Sequence, residues 1–280
     1  MSAAEYTGRF APSPTGPLHL GSMVAAVGSW LDAQAHGGRW LVRMDDLDPP
    51  REQPGAVAAI FRTLERFQLE PDGEPVYQSQ RSDAYAGVLE RLQSSGDAYG
   101  CACSRRELGE AAVYPGTCRG RPVDARSWRF AVGAGEVVWQ DRMAGEQRYD
   151  RAAQVGDFVL KRADGWWAYH LAAVVDDAAA GVTDIVRGAD LLDATACHIA
   201  LQERCGFPVP RYAHLPLVRN AAGQKLSKQT LAPPVDGRSP NEVLTEVFAH
   251  LGLGAVAEDA LSVMYAEAVE RWRAQLHGIA

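Results

Sequence analysis

Three groups of residues have types and spacing that could do chemistry. Residues 9–22 read RFAPSPTGPLHLGS, with three prolines, two glycines and a histidine directly before an apolar pattern of helical period. Pro12, Pro14 and Pro17 hold the approach in a fixed extended path. Gly16 and Gly21 remove side chains where a base or phosphate must come close. A helix beginning there presents free N–H groups and its positive dipole end, which suit a nucleotide phosphate, and His19 can add a hydrogen bond. Taken one at a time, these residues are better explained by a proline-rich loop with a capping histidine. Far along the chain, GQKLSKQ (223–229) places Lys225 and Lys228 three apart on a loop, point charges suited to polyphosphate. The third group is Cys101, Cys103 and Cys118, three thiols close enough in sequence for a metal, although a structural zinc site has four ligands.

The surrounding sequence supplies elements able to bring the first two groups together. Residues 6–11 read as a strand, and Leu20, Val24, Val27, Leu31 and Ala35 then recur at helical spacing until His36-Gly37-Gly38. Residues 40–44 form a buried strand and close a βαβ unit. Helical patterns follow from Pro54 through Ile60, Leu64 and Phe67, and from Ser82 to Gly96. Between 97 and 165 the character changes to cysteines, arginines and short strand-like runs (128–132, 137–140, 158–161), as in an insertion with its own small fold. The α/β pattern resumes with an apolar run near Val174, a strand at 182–186, a helix from 191 to 204 and a strand at 215–219. From Pro240 the tail reads as short helices, with six acidic residues against two arginines. Two α/β halves split by an insertion make a nucleotide-binding architecture.

Composition narrows the function class. The 280 residues are 47% hydrophobic and 22% charged, the proportions of an ordinary globular protein. No stretch reaches the roughly 18–20 apolar residues of a membrane span. The start, MSAAEYTGRF, lacks the features of a signal peptide, so the expected location is cytoplasmic, with no membrane partner. The net charge of −7 argues against coating nucleic acid by bulk charge. It leaves room for a local patch such as Arg105, Arg106, Arg119, Arg121, Arg126 and Arg129. Five cysteines do not suggest a disulfide framework, and Cys197 and Cys205 read as small core residues.

PLHLGS and KLSK resemble the HIGH and KMSKS motifs of class I aminoacyl-tRNA synthetases. The longer run GRFAPSPTGPLHLG, with RMDDLD (43–48) and VTDIVRGADLL (182–192), is similar to the glutamyl branch of that class. Two positions depart from the branch: Ser22 is the fourth residue of the HIGH motif, and Asp45 replaces the usual glutamate with a reach one methylene shorter. The resemblance implies an α/β fold: a class I Rossmann-type core with an inserted zinc-containing subdomain and a short C-terminal helical segment. Its divisions are 1–96 for the first half of the core, 97–165 for an acceptor-binding-like insertion, 166–235 for the second half with the KLSK loop, and 236–280 for the helical segment.

It further implies an ATP-dependent ligase that binds ATP with Mg2+ and activates L-glutamate. Arg9 and Arg187 would take the two carboxylates, Asp45 the amine, and Tyr169, Ala11 and Ser13 would complete the glutamate site. Pro12, His19, Gly21, Lys225 and Lys228 would bind ATP, with His19 and Lys228 catalytic. Both arginines have a structural alternative as ion-pair partners of Asp184 or Asp190. A small group in the branch carries C-x-C followed by Tyr-x3-Cys, which implies one structural Zn2+ on Cys101, Cys103, Tyr114 and Cys118. The sequence stops at Ala280, soon after the KLSK loop, and implies no anticodon-binding domain. In both features the chain resembles the glutamyl-queuosine tRNA(Asp) synthetases, a family that activates glutamate without tRNA and esterifies the queuosine base of tRNA(Asp); such a protein is expected to be monomeric. The alternatives are a short synthetase charging tRNA(Glu), an adenylate-forming ligase acting on a small-molecule amine, and a non-catalytic RNA-binding descendant.

Overall fold

A computed structural model describes residues 5–108, 113–219, 233–257 and 260–279. Strand β1 (Thr7–Phe10) runs into the proline-rich turn and then into helix α1 (Leu20–Ala35), which returns the chain to β2 (Arg39–Met44). β1 and β2 pair in parallel, and the short β3 (Val76–Tyr77) adds to β2 beyond helix α2 (Ala56–Arg66). Helix α3 (Ser82–Ser94) ends at Gly96, whose φ of +77° suits a residue just past a helix. Next come β4 (Ala98–Cys101), the short α4 (Arg105–Leu108), β5 (Ser127–Phe130), β6 (Glu136–Asp141), β7 (Gly145–Asp150) and β8 (Val159–Lys161). The second α/β half holds α5 (Tyr169–Ala179), β9 (Asp184–Gly188), α6 (Leu192–Cys205) and β10 (Arg211–Leu215). The tail is α7 (Pro240–His250) and α8 (Leu261–Ile279).

The strands form a parallel sheet β1-β2-β3, a sheet in the order β7-β6-β10-β9, and a small antiparallel sheet β4-β5-β8. β1 lies against β9, and the Thr183 N–H donates to the Thr7 carbonyl at 2.9 Å, so the two α/β halves meet there. The stretch 97–165 divides: β4, β5 and β8 make the small sheet, whereas β6 joins β10 in the larger one and brings β7 with it. Asp141, at the end of β6, thereby sits among strands of the second half.

Side chains alternate across these strands as a pleat requires. Val186, Ala213 and Leu215 enter one core with α1, α7 and α8; Ile185 and Tyr212 enter another with α5 and α6. Helix α1 is covered by both halves and by the tail, which is why Met23, Val27 and Leu31 are fully buried. A Cβ on Gly28 would come within 2.7 Å of a Leu215 methyl, so the glycine makes room for that side chain of β10 against α1.

The α/β architecture expected from the sequence is the one observed, with local differences. The strand expected at 215–219 instead occupies Arg211–Leu215, because Pro216 has no N–H to continue a ladder. The strand expected at 182–186 begins at Asp184, with Thr183 spent on the contact to β1. The tail's second helix is not short: α8 has 19 residues, and Trp272 and Tyr265 bond it to Asp32 and to the Phe67 carbonyl. Among the described residues no helix is long and apolar enough to cross a membrane.

Candidate active site

The carboxyl ends of β1, β2, β9 and β10 open into one cleft of about 900 Å³. Ligands in open α/β sheets bind at this edge, where the halves meet. Arg9, Ala11, Pro12, Ser13, His19, Gly21, Asp45, Tyr169 and Arg187 all line it. Lys225 and Lys228 lie outside the described residues.

The turn between β1 and α1 is built as its sequence suggests. Gly16 takes φ +130°, which other residues avoid, while the Asp45 and Gln53 N–H groups donate to the Pro12 and Pro14 carbonyls. His19 is the N-cap of α1: its Nδ1 accepts from the Ser22 N–H at 3.2 Å. The departure at Ser22 therefore leaves the cap intact, since the bond uses backbone. With Nδ1 accepting, a neutral His19 carries its proton on Nε2 and can donate from there.

The two arginines singled out in the sequence sit in opposite electrostatic settings. Arg9 donates from Nε and Nη2 to the two carboxylate oxygens of Asp177, each at 3.1 Å, and Arg43 donates to the same carboxylate at 2.6 Å. Its ion-pair partner is thus Asp177, not Asp184 or Asp190; Asp184 pairs with Arg211 instead. Arg187 donates to the Tyr169 hydroxyl (3.0 Å), the Thr195 hydroxyl (2.8 Å), His214 Nε2 (3.3 Å) and the Leu191 carbonyl (3.2 Å). Among the described residues none of these partners is a carboxylate, so they fix the guanidinium without a direct ion pair. An anion entering the cleft meets that charge in a dry setting, where it counts most.

Asp45 faces Arg43, with Nε to Oδ1 at 2.7 Å. Burial raises the Asp45 carboxyl above its ordinary range despite the pull of Arg43 and Arg9. A bound ammonium would favour its ionised form.

Arg43, Asp176 and Asp177, for which the sequence motifs suggest no role, brace the lining residues Arg9, Asp45 and Gln78. Asp176 binds Gln78, Arg81 and Tyr85. The signal was present: two consecutive aspartates inside the apolar run of α5 must find cations if they are buried and ionised. Burial would push the Asp177 carboxyl up, but the charges of Arg9 and Arg43 outweigh it and hold it at about 2. This folded value lies below the unfolded value of about 3.9. The contribution to stability is therefore complete above about pH 4 and lost as pH falls towards 2. Asp177→Asn should cost about 3 kcal/mol of unfolding free energy at pH 7, because buried arginines lose their carboxylate. It should also flatten the acid limb of a urea-denaturation series between about pH 4 and 2. An unchanged acid limb would remove Asp177 as its source.

Cys101, Cys103 and Cys118 lie within 4.8 Å of one another. The Cys103 and Cys118 sulfurs are 3.5 Å apart, and the Tyr114 hydroxyl is 3.4 Å from both Cys101 and Cys103. Thiolates on one tetrahedral zinc stand about 3.8 Å apart, so the cluster has the size of a metal site. Burial works to raise the Cys101 thiol, but hydrogen bonding with Tyr114 and with Arg129 brings it down to about 7. Arg129 stacks over the Tyr114 ring at 3.9 Å, a cation beside groups that must lose protons to bind metal. Of the arginines in the insertion, Arg119 is committed to Asp157 and Arg129 is buried.

The sequence pattern of the family described as tRNA synthetases class I (E and Q), catalytic domain, matches residues 5–114 and 123–258. A Chromobacterium violaceum protein described as glutamyl-Q tRNA(Asp) synthetase is 53% identical over 97% of this chain and 95% of its own length. One from Aromatoleum aromaticum with the same description is 52% identical over 97% of this chain and 90% of its own. The chain belongs to the glutamyl-Q tRNA(Asp) synthetase family. Among solved structures, the glutamate tRNA ligase of Elizabethkingia meningosepticum in complex with its amino acid superposes with a TM-score of 0.79 at 26% identity. That match covers 95% of this chain but 64% of the ligase, so this member of the glutamyl-Q family spans just under two thirds of that enzyme's length.

Proposed function

We propose that this protein activates L-glutamate with ATP, without needing tRNA, and transfers it to the queuosine base in the anticodon of tRNA(Asp). The observation that carries this reading is the cleft itself. It joins Arg187, which is held by Tyr169 and has no carboxylate among its described hydrogen-bond partners, to the His19-capped start of α1, in a chain over half identical to glutamyl-Q relatives along nearly its whole length.

The chemistry follows from the geometry. Arg187 receives one glutamate carboxylate by charge-assisted hydrogen bonds, with Tyr169 beside it. Arg9, whose Nε and Nη2 are spent on Asp177, contributes Nη1 and field rather than a full fork. Asp45 takes the ammonium, and the turn through Ala11 and Ser13 shapes the space between. An oxygen of the α-carboxylate attacks the α-phosphorus of ATP, and the bond to the β-phosphate oxygen breaks with its electron pair leaving on pyrophosphate. His19 Nε2–H and the first N–H groups of α1 stabilise the charge developing on the α-phosphate. Pro12 and Gly21 keep the nucleotide's approach clear, and Lys225 and Lys228 serve the departing pyrophosphate. Mg2+ bound with ATP would neutralise part of its phosphate charge. In the second step a hydroxyl of the cyclopentene-diol attacks the glutamyl carbonyl, AMP leaves, and the hydroxyl proton is released. Positioning supplies most of the rate, since no covalent enzyme intermediate is needed.

The cysteine cluster with Tyr114 would hold one structural Zn2+, which fixes the fold of β4 and β5 and leaves no open position for reactive water. The segment 97–165 would face the RNA through Arg106, Arg121 and Arg126, which are exposed. With ATP and tRNA as substrates, the enzyme works in the cytoplasm. The direct test is transfer of labelled glutamate to RNAs that differ only in the modified base.

A further inference from the structure

We infer that Asp141 and His214 form a positioning relay that orients Arg187 and keeps its charge available to the substrate carboxylate; this rests on the reading of Arg187 above. His214 stands directly opposite Arg187 in the β9–β10 register, and Asp141 at the end of β6 reaches it from the other neighbouring strand. All three are buried, at 1%, 3% and 4% exposure for Asp141, His214 and Arg187. The Asp141 carboxylate is anchored through Oδ1, which accepts from the N–H groups of Met143, Ala144 and His214. Its Oδ2 lies 2.5 Å from His214 Nδ1.

The contacts set a direction for the relay. Asp141 is held ionised, since the His214 contact and the backbone donors outweigh the effect of burial. An ionised carboxylate only accepts, so Nδ1 carries the proton. A guanidinium only donates, so His214 Nε2 must accept from Arg187 Nε at 3.3 Å. Thr195 Oγ1 also lies 3.0 Å from Nε2, and its hydroxyl can donate or accept there, so among the neutral forms the Nδ1–H tautomer is the one that serves Asp141 and Arg187 together. The arrangement places a carboxylate one imidazole away from the guanidinium. It transmits orientation while avoiding the direct ion pair that occupies Arg9.

Asp141→Asn keeps the size and the backbone anchors, but its amide N–H faces Nδ1 and favours the Nε2–H tautomer, which points a donor at Arg187. In glutamate-dependent ATP–pyrophosphate exchange, the variant should raise the KM for glutamate about tenfold or more and move the KM for ATP less than about twofold. Adding His214→Gln supplies a carbonyl acceptor that needs no tautomer, and the double variant should recover most of the lost glutamate affinity. Nitrogen NMR of wild-type protein at neutral pH should find His214 protonated on Nδ1 alone.

An Nε2–H tautomer in the wild type overturns the relay, whether or not the variants fold. So does an unchanged glutamate KM in Asp141→Asn, or a double variant no better than the single one. A wild-type protein with no glutamate-dependent exchange overturns the functional reading, and the relay with it; exchange with normal wild-type kinetics and unresponsive variants overturns the relay alone.

Discussion

Arg187→Ala is expected to cut glutamate-dependent ATP–pyrophosphate exchange on the order of a thousandfold, about 4 kcal/mol, while the protein stays folded. The size follows from the setting: a buried guanidinium held by the Tyr169 and Thr195 hydroxyls, with no direct carboxylate partner among the described residues, gives its charge to the substrate at low cost in reorganisation. The fold should tolerate the loss because Arg187 and Tyr169 both line the cleft, so water can enter the space that the truncated side chain leaves. Arg187→Lys keeps the charge but loses the fork that meets both Tyr169 and Thr195, so it should recover only part of the activity. Arg9→Ala is a less informative change, because it also strips a partner from buried Asp177. Exchange within about tenfold of wild type in Arg187→Ala would show that the glutamate carboxylate is held elsewhere.

Metal removal is expected to have the other large effect. Protein purified without added metal should contain near one equivalent of zinc, and Cys103→Ser or Cys118→Ser should lose it. Structural zinc sites contribute on the order of 10 kcal/mol, more than a three-stranded sheet of short strands gains by itself. Chelation should therefore open the region around β4 and β5 to proteolysis while α1 and its packed tail stay protected. Elemental analysis and limited digestion both read this without an activity assay. A metal-free protein with the same digestion pattern would reduce the three cysteines to packing residues.

Much of the cleft was legible because its residues sit in short local patterns. The proline-glycine turn, the helix starting at Leu20 and the glycines after His36 are decided within a few residues of one another. The cysteine cluster was legible for the same reason. What escaped depended on long-range partners. Arg9 and Asp177 are 168 residues apart, and nothing near Arg9 indicates that a carboxylate from α5 will fill its fork. The pairing of β6 with β10 was hidden by the change of character at residue 97, which made 97–165 look self-contained. Asp141 and His214 went unremarked for that reason. The strand at 211–215 was placed too late because the apolar run continues past Leu215, and only the ladder's need for an N–H ends it at Pro216.

The central claim is the acceptor, and it is tested by incubating the protein with ATP and labelled glutamate beside three RNAs. These are tRNA(Asp) carrying queuosine, tRNA(Asp) lacking it, and tRNA(Glu). Label on the queuosine-containing tRNA(Asp) alone is the predicted result. Label on tRNA(Glu) would contradict it and make the protein a short synthetase charging that tRNA, and label on no RNA would point to a small-molecule amine as acceptor.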